Sequence, residues 1–173
     1  DAILNIVDGT NLERNLYLST QLMELGIPVV LAVNMMDVVR KSGDQIDIKL
    51  LGEKLGCKVV SISALKGEGV GEAVNMAVKM AQNKCETKAV HRFSLEVEGY
   101  LGEIERKLTG IAEEQKRFYA IKLFERDEKL KGQMVQAPDV SQIIAKAEEK
   151  LDDDAESIIT DERYHYIASV TDG

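Results

Sequence analysis

Three short apolar runs, separated by amphipathic stretches, constrain the fold of this chain more than any other feature. The runs are Ala2–Val7, Pro28–Val33 and Cys57–Ile62. The second run is apolar at every position, which is typical of a parallel strand that helices cover on both faces. Between the runs, apolar residues recur at helical spacing, and Gly26 and Gly56 stand where such helices end. Strands that alternate with helices predict a parallel α/β sheet with right-handed crossovers.

The residues after the first run predict a turn and then a helix. Asp8 and Gly9 interrupt the apolar pattern, and a turn role is predicted for Asp8. Thr10 with Glu13 three residues later forms a capping-box pattern, which predicts Thr10 as the helix N-cap. A further helix is predicted over Ile48–Leu55.

The second half of the chain has only helical periodicity. Apolar residues step by three and four from Val97 to Ile111, and similar stripes follow up to Val170, which predicts a small helical bundle. Residues 1–85 hold 10 acidic and 9 basic residues, a net charge of −1, whereas residues 86–173 hold 20 and 13, a net charge of −7. This shift, with a lapse of periodicity near Asn83–Val90, predicts domains at 1–85 and 86–173.

Composition and charge exclude several classes of function. The net charge of −8 argues against nucleic acid as a partner, because binding phosphates requires a basic face. No apolar run approaches the roughly 20 residues of a membrane span.

His91 and His165 have no metal-ligand spacing and are predicted to be surface or capping residues. Cys57 and Cys85 lie far apart and are predicted to be reduced thiols. The acidic residues at 148–154 are predicted to be a solvated charge run.

Polar residues follow the second and third predicted strands in a specific pattern. Asn34 and Asp37 form an Asn-x-x-Asp motif after one strand, and Ser63-Ala64 follows the next, 29 residues after Asn34. Ligands of open α/β sheets bind beyond the carboxyl ends of the strands. The two motifs resemble the base-reading loops of guanine-nucleotide-binding proteins. Guanine presents two adjacent donors, N1–H and the exocyclic amino group, which one carboxylate accepts as a fork, so Asp37 is predicted to select guanine.

The other residues of these loops have predicted supporting roles. Asn34 ties its loop to its neighbours, the backbone N–H of Ala64 donates to guanine O6, and Ser63 holds the loop in shape. Met35 and Leu65 replace the lysines of the usual Asn-Lys-x-Asp and Ser-Ala-Lys motifs. Their side chains can pack on both faces of the base but carry no charge. Guanine selectivity with modest affinity and fast nucleotide release is therefore predicted.

The chain resembles the ferrous iron transport protein B (FeoB) family over nearly its whole length. The resemblance is carried by residues 11–18 (NLERNLYL), 26–30 (GIPVV), 34–37 (NMMD) and 163–167 (RYHYI). It implies part of a Ras-like parallel sheet followed by a helical spacer domain. It also implies GTP or GDP as ligand, Mg²⁺ in the complete domain, and a location on the cytoplasmic face of the bacterial inner membrane. GTP binding or hydrolysis would regulate Fe²⁺ uptake through the family's own transmembrane region.

The chain contains no Gly-x-x-x-x-Gly-Lys-Ser/Thr phosphate loop and no upstream Asp-x-x-Gly switch motif. We therefore expect Asp1 to be a truncation point, the complete protein to be a slow GTPase, and this stretch alone to be inactive with very poor GTP affinity. The edge of the strand at Ala2–Val7 would then be bare, and bare apolar edges recruit partners. Pairing of this edge with a second copy of the chain, as a homo-oligomer, or with the missing half supplied in trans, is predicted.

Two other functions are compatible with the base-reading loops. The chain could be part of another GTPase that acts on ribosomes or tRNA, although the acidic helical half disfavours an RNA-associated protein. It could also be a non-enzymatic α/β interaction module, in which Asn34 and Asp37 only form a turn and cap a helix.

Overall fold

The computed structural model describes residues 1–83 and 91–172. The chain divides into two compact units, Asp1–His91 with Ile167–Gly173, and Arg92–Tyr166. The predicted boundary at 85/86 and the predicted thiol of Cys85 lie outside the described residues.

The first unit contains a three-stranded parallel sheet, as the sequence predicts. Its strands are β1 (Ile3–Asp8), β2 (Val29–Asn34) and β3 (Lys58–Ser61), in the spatial order β1-β2-β3. Every β2 residue from Val29 to Val33 is fully buried. The central strand is therefore covered on both faces, which is why its sequence shows no polar alternation.

Helices cover both faces of the sheet. In the first unit they are α1 (Leu12–Met23), α2 (Met36–Ser42), α3 (Ile48–Leu55) and α4 (Val70–Gln82). The side chain of Asn5 donates to Ser19 of α1 at 2.6 Å, so this face of β1 points towards α1. The preceding side chain, Leu4, lies on the opposite face of the sheet, because side chains alternate along a strand. It packs with the cluster that includes Ala73 of α4.

The predicted capping box at Thr10 is wrong. The Asp8 carboxylate accepts hydrogen bonds from the amide (2.8 Å) and the hydroxyl (2.7 Å) of Thr10, which is the turn role predicted for Asp8. This contact starts a 3₁₀ turn over Gly9–Asn11, and α1 begins only after it. Thr10 therefore lies inside the turn, where its hydroxyl is already engaged.

The second unit is helical, as predicted. Its helices are α5 (Leu95–Lys107), α6 (Lys116–Phe124), α7 (Glu128–Gln133), α8 (Ser141–Leu151) and α9 (Ala155–Thr171), the last of which ends in residues counted with the first unit. Its core joins one stripe from each of α5, α6, α8 and α9, with Leu101, Ile121, Ala147 and Ile159 fully buried. Asp154, from the acidic run, accepts hydrogen bonds from the amide and hydroxyl of Ser157 at the start of α9.

Candidate functional site

The carboxyl ends of β2 and β3 lie side by side. Val33 pairs with Ser61 in the parallel ladder, and the amide of Ile62 donates to the Val33 carbonyl at 2.8 Å. The amide of Met36 then donates to the Ile62 carbonyl at 3.3 Å. These bonds carry the contact beyond the strands, so that the loops after β2 and β3 meet at one edge of the sheet.

Met35 gives the loop after β2 its sharp reversal. Its backbone is left-handed, with φ 63° and ψ 24°, which is uncommon for a residue other than glycine or asparagine. The Met35 carbonyl accepts hydrogen bonds from the amides of Val38 and Val39, so α2 starts at once. The reversal places Asp37 in the first turn of α2, facing the loop after β3.

The Asp37 carboxylate is held by two residues of that loop. The Ser63 hydroxyl donates to Oδ1 at 3.0 Å, and the Lys66 ammonium lies 3.2 Å from Oδ2. The hydrogen bond from Ser63, followed by that from Lys66, holds the pKa of Asp37 below its usual value. The Asp37 side chain is 12% exposed and Ser63 is buried. The result is an ionised, oriented carboxylate that is partly open to solvent.

A second contact joins the same two loops. The Ala64 amide donates to Asn34 Oδ1 at 3.0 Å. Asn34 therefore ties its loop to its neighbour, as the sequence predicts. The Ala64 amide, predicted to donate to a guanine oxygen, here donates to Asn34. Met35 and Leu65 stand beside these contacts with exposed apolar side chains, 43% and 96% exposed respectively.

Two backbone hydrogen bonds between Ser63 and Glu68 close the loop after β3 on itself. The Ser63 amide donates to the Glu68 carbonyl at 3.0 Å, and the Glu68 amide donates to the Ser63 carbonyl at 3.1 Å. The Glu68 carboxylate lies 3.3 Å from Arg40 of α2. The loop and α2 are thus linked at Glu68 as well as at Asp37.

The structure brings the six predicted site residues to one edge and adds one that the prediction missed. The prediction missed Lys66 because the lysine of the usual Ser-Ala-Lys motif falls at position 65. A lysine one residue later, as in Ser63-Ala64-Leu65-Lys66, is the sequence signal that could have identified it. The roles of the six residues in binding a base remain predictions.

The prediction for His91 is wrong, and that for His165 is confirmed. His91 is buried, with Nε2 3.0 Å from Glu24 Oε1, whereas His165 is exposed. Sequence spacing could not reveal a pair 67 residues apart.

In the part of the chain that the structure describes, no group of three or more His, Cys, Asp or Glu side chains could hold a metal ion. Nor does any helix there have the length and apolar character needed to cross a bilayer.

Two family descriptions match the chain in sequence. One is ferrous iron transport protein B, over residues 1–77, and the other is the FeoB cytosolic helical domain, over residues 93–173. The first match contains the sheet and both loops described above, and the second contains α5 to α9.

Individual relatives agree with these matches. The Fe(2+) transporter FeoB of Salmonella typhimurium is 35% identical over 179 residues, which cover 99% of this chain and 22% of that protein. The chain thus spans about a fifth of the length of the curated relatives it matches. Crystal structures of NFeoB from S. thermophilus resemble it closely. The mGMPPNP-bound structure is 41% identical with a TM-score of 0.90, covering 99% of this chain and 66% of that one. A GDP-bound mutant is 40% identical with a TM-score of 0.93, covering 100% and 69%.

The predicted resemblance is therefore confirmed in both halves of the chain and in the order in which they follow each other. The fold of the first unit corresponds to part of the FeoB G domain. Sequence identity, coverage and superposition all agree, and this chain belongs to the ferrous iron transport protein B (FeoB) family.

Proposed function

We propose that this chain binds the base of a guanine nucleotide, as part of the regulatory region of a bacterial Fe²⁺ transporter. The observation that carries the proposal is the Asp37 carboxylate, held by Ser63 at the carboxyl edge of the sheet beside the Asn34–Ala64 contact. A carboxylate oriented in this way accepts the two adjacent donors of guanine. Adenine presents an acceptor at N1 and leaves the carboxylate opposed.

The remaining proposed site residues act on the ring and on the shape of the loops. Met35 and Leu65 pack against the faces of the base, where a thioether and a branched alkyl group make favourable contacts. Asn34 and Ala64 join the two loops and face the carbonyl side of the base. Because these residues contact only the base, we propose that the affinity is weak and nucleotide release is fast.

The regulatory role rests on the relatives. The curated relatives are Fe(2+) transporters, and solved relatives bind GDP or mGMPPNP. We propose that nucleotide binding and slow hydrolysis in the complete protein regulate Fe²⁺ uptake on the cytoplasmic face of the bacterial inner membrane. This chain alone is then inactive. We propose Mg²⁺ for the complete domain and assign it to none of the described residues.

We further propose two domains, 1–85 for nucleotide binding and 86–173 as a helical spacer between it and the transmembrane region. The two family matches, over 1–77 and 93–173, support this division. The helical part would transmit the nucleotide state, because it follows the nucleotide domain along the chain.

We propose that a second copy of the chain pairs at the outer edge of β1. This strand is the outer one in the described order, and Ile6 on it is 59% exposed. Two copies related by a twofold axis would align their β1 strands antiparallel and satisfy each other's backbone groups. Sedimentation velocity at rising concentration should show a dimer, and a persistent monomer would exclude this interface.

Base selectivity tests the main proposal directly. The 173-residue chain is titrated with GDP and with ADP while the amide resonances of residues 34–37 and 63–66 are followed by NMR, which can measure weak binding. We expect GDP to shift these resonances at concentrations at which ADP does not. Equal shifts with both nucleotides would refute the proposal.

Asp37→Asn is the informative variant, because it exchanges one acceptor for a donor. It should weaken GDP binding by about tenfold to a hundredfold, the usual value of one bidentate contact. Asn pairs instead with xanthine, which has a donor at N1 and an acceptor at C2, so XDP binding should improve. Asp44→Asn removes an exposed carboxylate of the same unit and should change neither affinity.

A further inference from the structure

The proposed base site lacks both of its usual cations. Met35 and Leu65 occupy the two lysine positions of the usual motifs, and neither carries a charge. Yet Asp37 is not without a cation, because Lys66 Nζ lies 3.2 Å from Oδ2. The lysine of this loop thus stands at position 66, one residue after its usual position 65, and its ammonium contacts the Asp37 carboxylate directly.

The backbone of the loop directs Lys66 towards Asp37. The Lys66 amide donates to the Ser63 carbonyl at 3.1 Å, and the Gly67 amide donates to the Ala64 carbonyl at 3.2 Å, which forms a tight 3₁₀ turn. Gly67 follows with φ +71°, and the chain returns so that Glu68 pairs with Ser63. Lys66 is thereby held over α2 by the same turn that holds Ser63.

Two donors on different oxygens fix the direction of the carboxylate plane. A carboxylate has about four acceptor sites, two on each oxygen. Ser63 occupies one site on Oδ1, and Lys66 occupies one on Oδ2. A pair of parallel donors requires one acceptor site on each oxygen, and neither oxygen accepts from both Ser63 and Lys66. With Ser63 alone, the carboxylate keeps freedom to turn about its Cβ–Cγ bond.

We propose that Lys66 is a positioning residue for guanine recognition, which orients the Asp37 carboxylate so that one acceptor site on each oxygen faces the base. This inference rests on the proposed function and extends it to a residue outside the two base-reading motifs. The opposite role, in which Lys66 blocks the carboxylate until a nucleotide displaces it, predicts the opposite change in affinity when the ammonium is removed.

Three variants separate these roles. Lys66→Met keeps the length of the side chain and removes its charge, and Lys66→Arg keeps a cation that can reach a carboxylate. Arg40→Met is the matched control, because Arg40 links α2 to the same loop through Glu68 and not through Asp37. Each variant of the 173-residue chain is titrated with GDP and ADP by NMR. The pKa of the Asp37 carboxyl is measured in each from its ¹³C shift.

Lys66→Met should weaken GDP binding by about twofold to fivefold, the range for a partly exposed charged contact. It should also raise the pKa of Asp37. Lys66→Arg should restore most of both properties, and Arg40→Met should change neither. Unchanged or tighter GDP binding in Lys66→Met would overturn the inference, as would an equal loss in Arg40→Met. These two results would leave the proposed function intact if the wild-type chain still prefers GDP to ADP. If the wild-type chain shows no such preference, the proposed function and this inference fail together.

Discussion

Replacing Gly69 by alanine should destabilise the first unit much more than the same change at Gly67. Both glycines have φ +71°, so the backbone strain of an added side chain is the same at both. At Gly69, however, a Cβ would lie 2.3 Å from the carbonyl oxygen of Ser61 and 3.2 Å from Ile62 Cγ2. At Gly67 it would meet nothing within 4 Å. The pair therefore separates steric overlap from conformational strain.

The expected magnitudes follow from these two terms. A left-handed conformation costs an alanine roughly 1–2 kcal/mol, which is the whole expected effect at Gly67. Overlap with a backbone atom at Gly69 cannot be relieved by turning a side chain, and forced packing typically adds about 1–3 kcal/mol. Gly69→Ala should therefore lower the free energy of unfolding by about 2–5 kcal/mol.

Native-state hydrogen exchange is the suitable assay, because it reports on the first unit separately, whereas a global transition of a two-unit chain need not be two-state. The probe is the Ile62 amide, which donates to Val33. Gly67→Ala should speed its exchange by about fivefold to thirtyfold, and Gly69→Ala by at least a further fivefold. Equal rates in the two variants would refute the steric argument and show that the loop adapts at little cost.

Two further predictions concern ionisable groups. Burial raises the pKa of the Cys57 thiol to about 12, so its alkylation by iodoacetamide at pH 8 should be at least about tenfold slower in the native chain than in urea; equal rates by peptide mass spectrometry would contradict this. Burial raises the pKa of Glu98, but hydrogen bonds from Arg117 and from the Phe93 amide outweigh it, and the pKa lies below the ordinary 4.5. Because the folded pKa is depressed, this contribution to stability is present above pH 4.5 and lost as the pH falls through the folded pKa. Urea midpoints from the Leu101 methyl resonances should fall in acid, and Arg117→Met should reduce that dependence; the same slope in both proteins would count against the assignment.

Much of the first unit could be predicted because local sequence and tertiary environment agree there. A run that is apolar at every position, such as Val29–Val33, requires cover on both faces, and the structure provides it. Element ends were less predictable. The predicted capping box at Thr10 failed because a side chain two residues earlier had already engaged its amide and hydroxyl.

The meeting of the two loops of the candidate site could also be predicted from the sequence, since the ends of neighbouring parallel strands lie at one edge whatever the side chains do. What the sequence could not show is which side chains satisfy each other across that edge. The contact between Ala64 and Asn34 joins residues 30 positions apart, and that between His91 and Glu24 joins residues 67 apart. Such partners depend on backbone directions that no local pattern encodes.

The sequence by itself determined the α/β order of the first half, the helical nature of the second, and the two loops that bear the candidate site, because periodicity and strand spacing are local properties. The tertiary structure alone decided that Asp37 is held by both Ser63 and Lys66. The physical reason is that a hydrogen bond requires a donor within about 3 Å and in line, and only the folded turn of Ser63–Glu68 brings the ammonium of Lys66 back to that position.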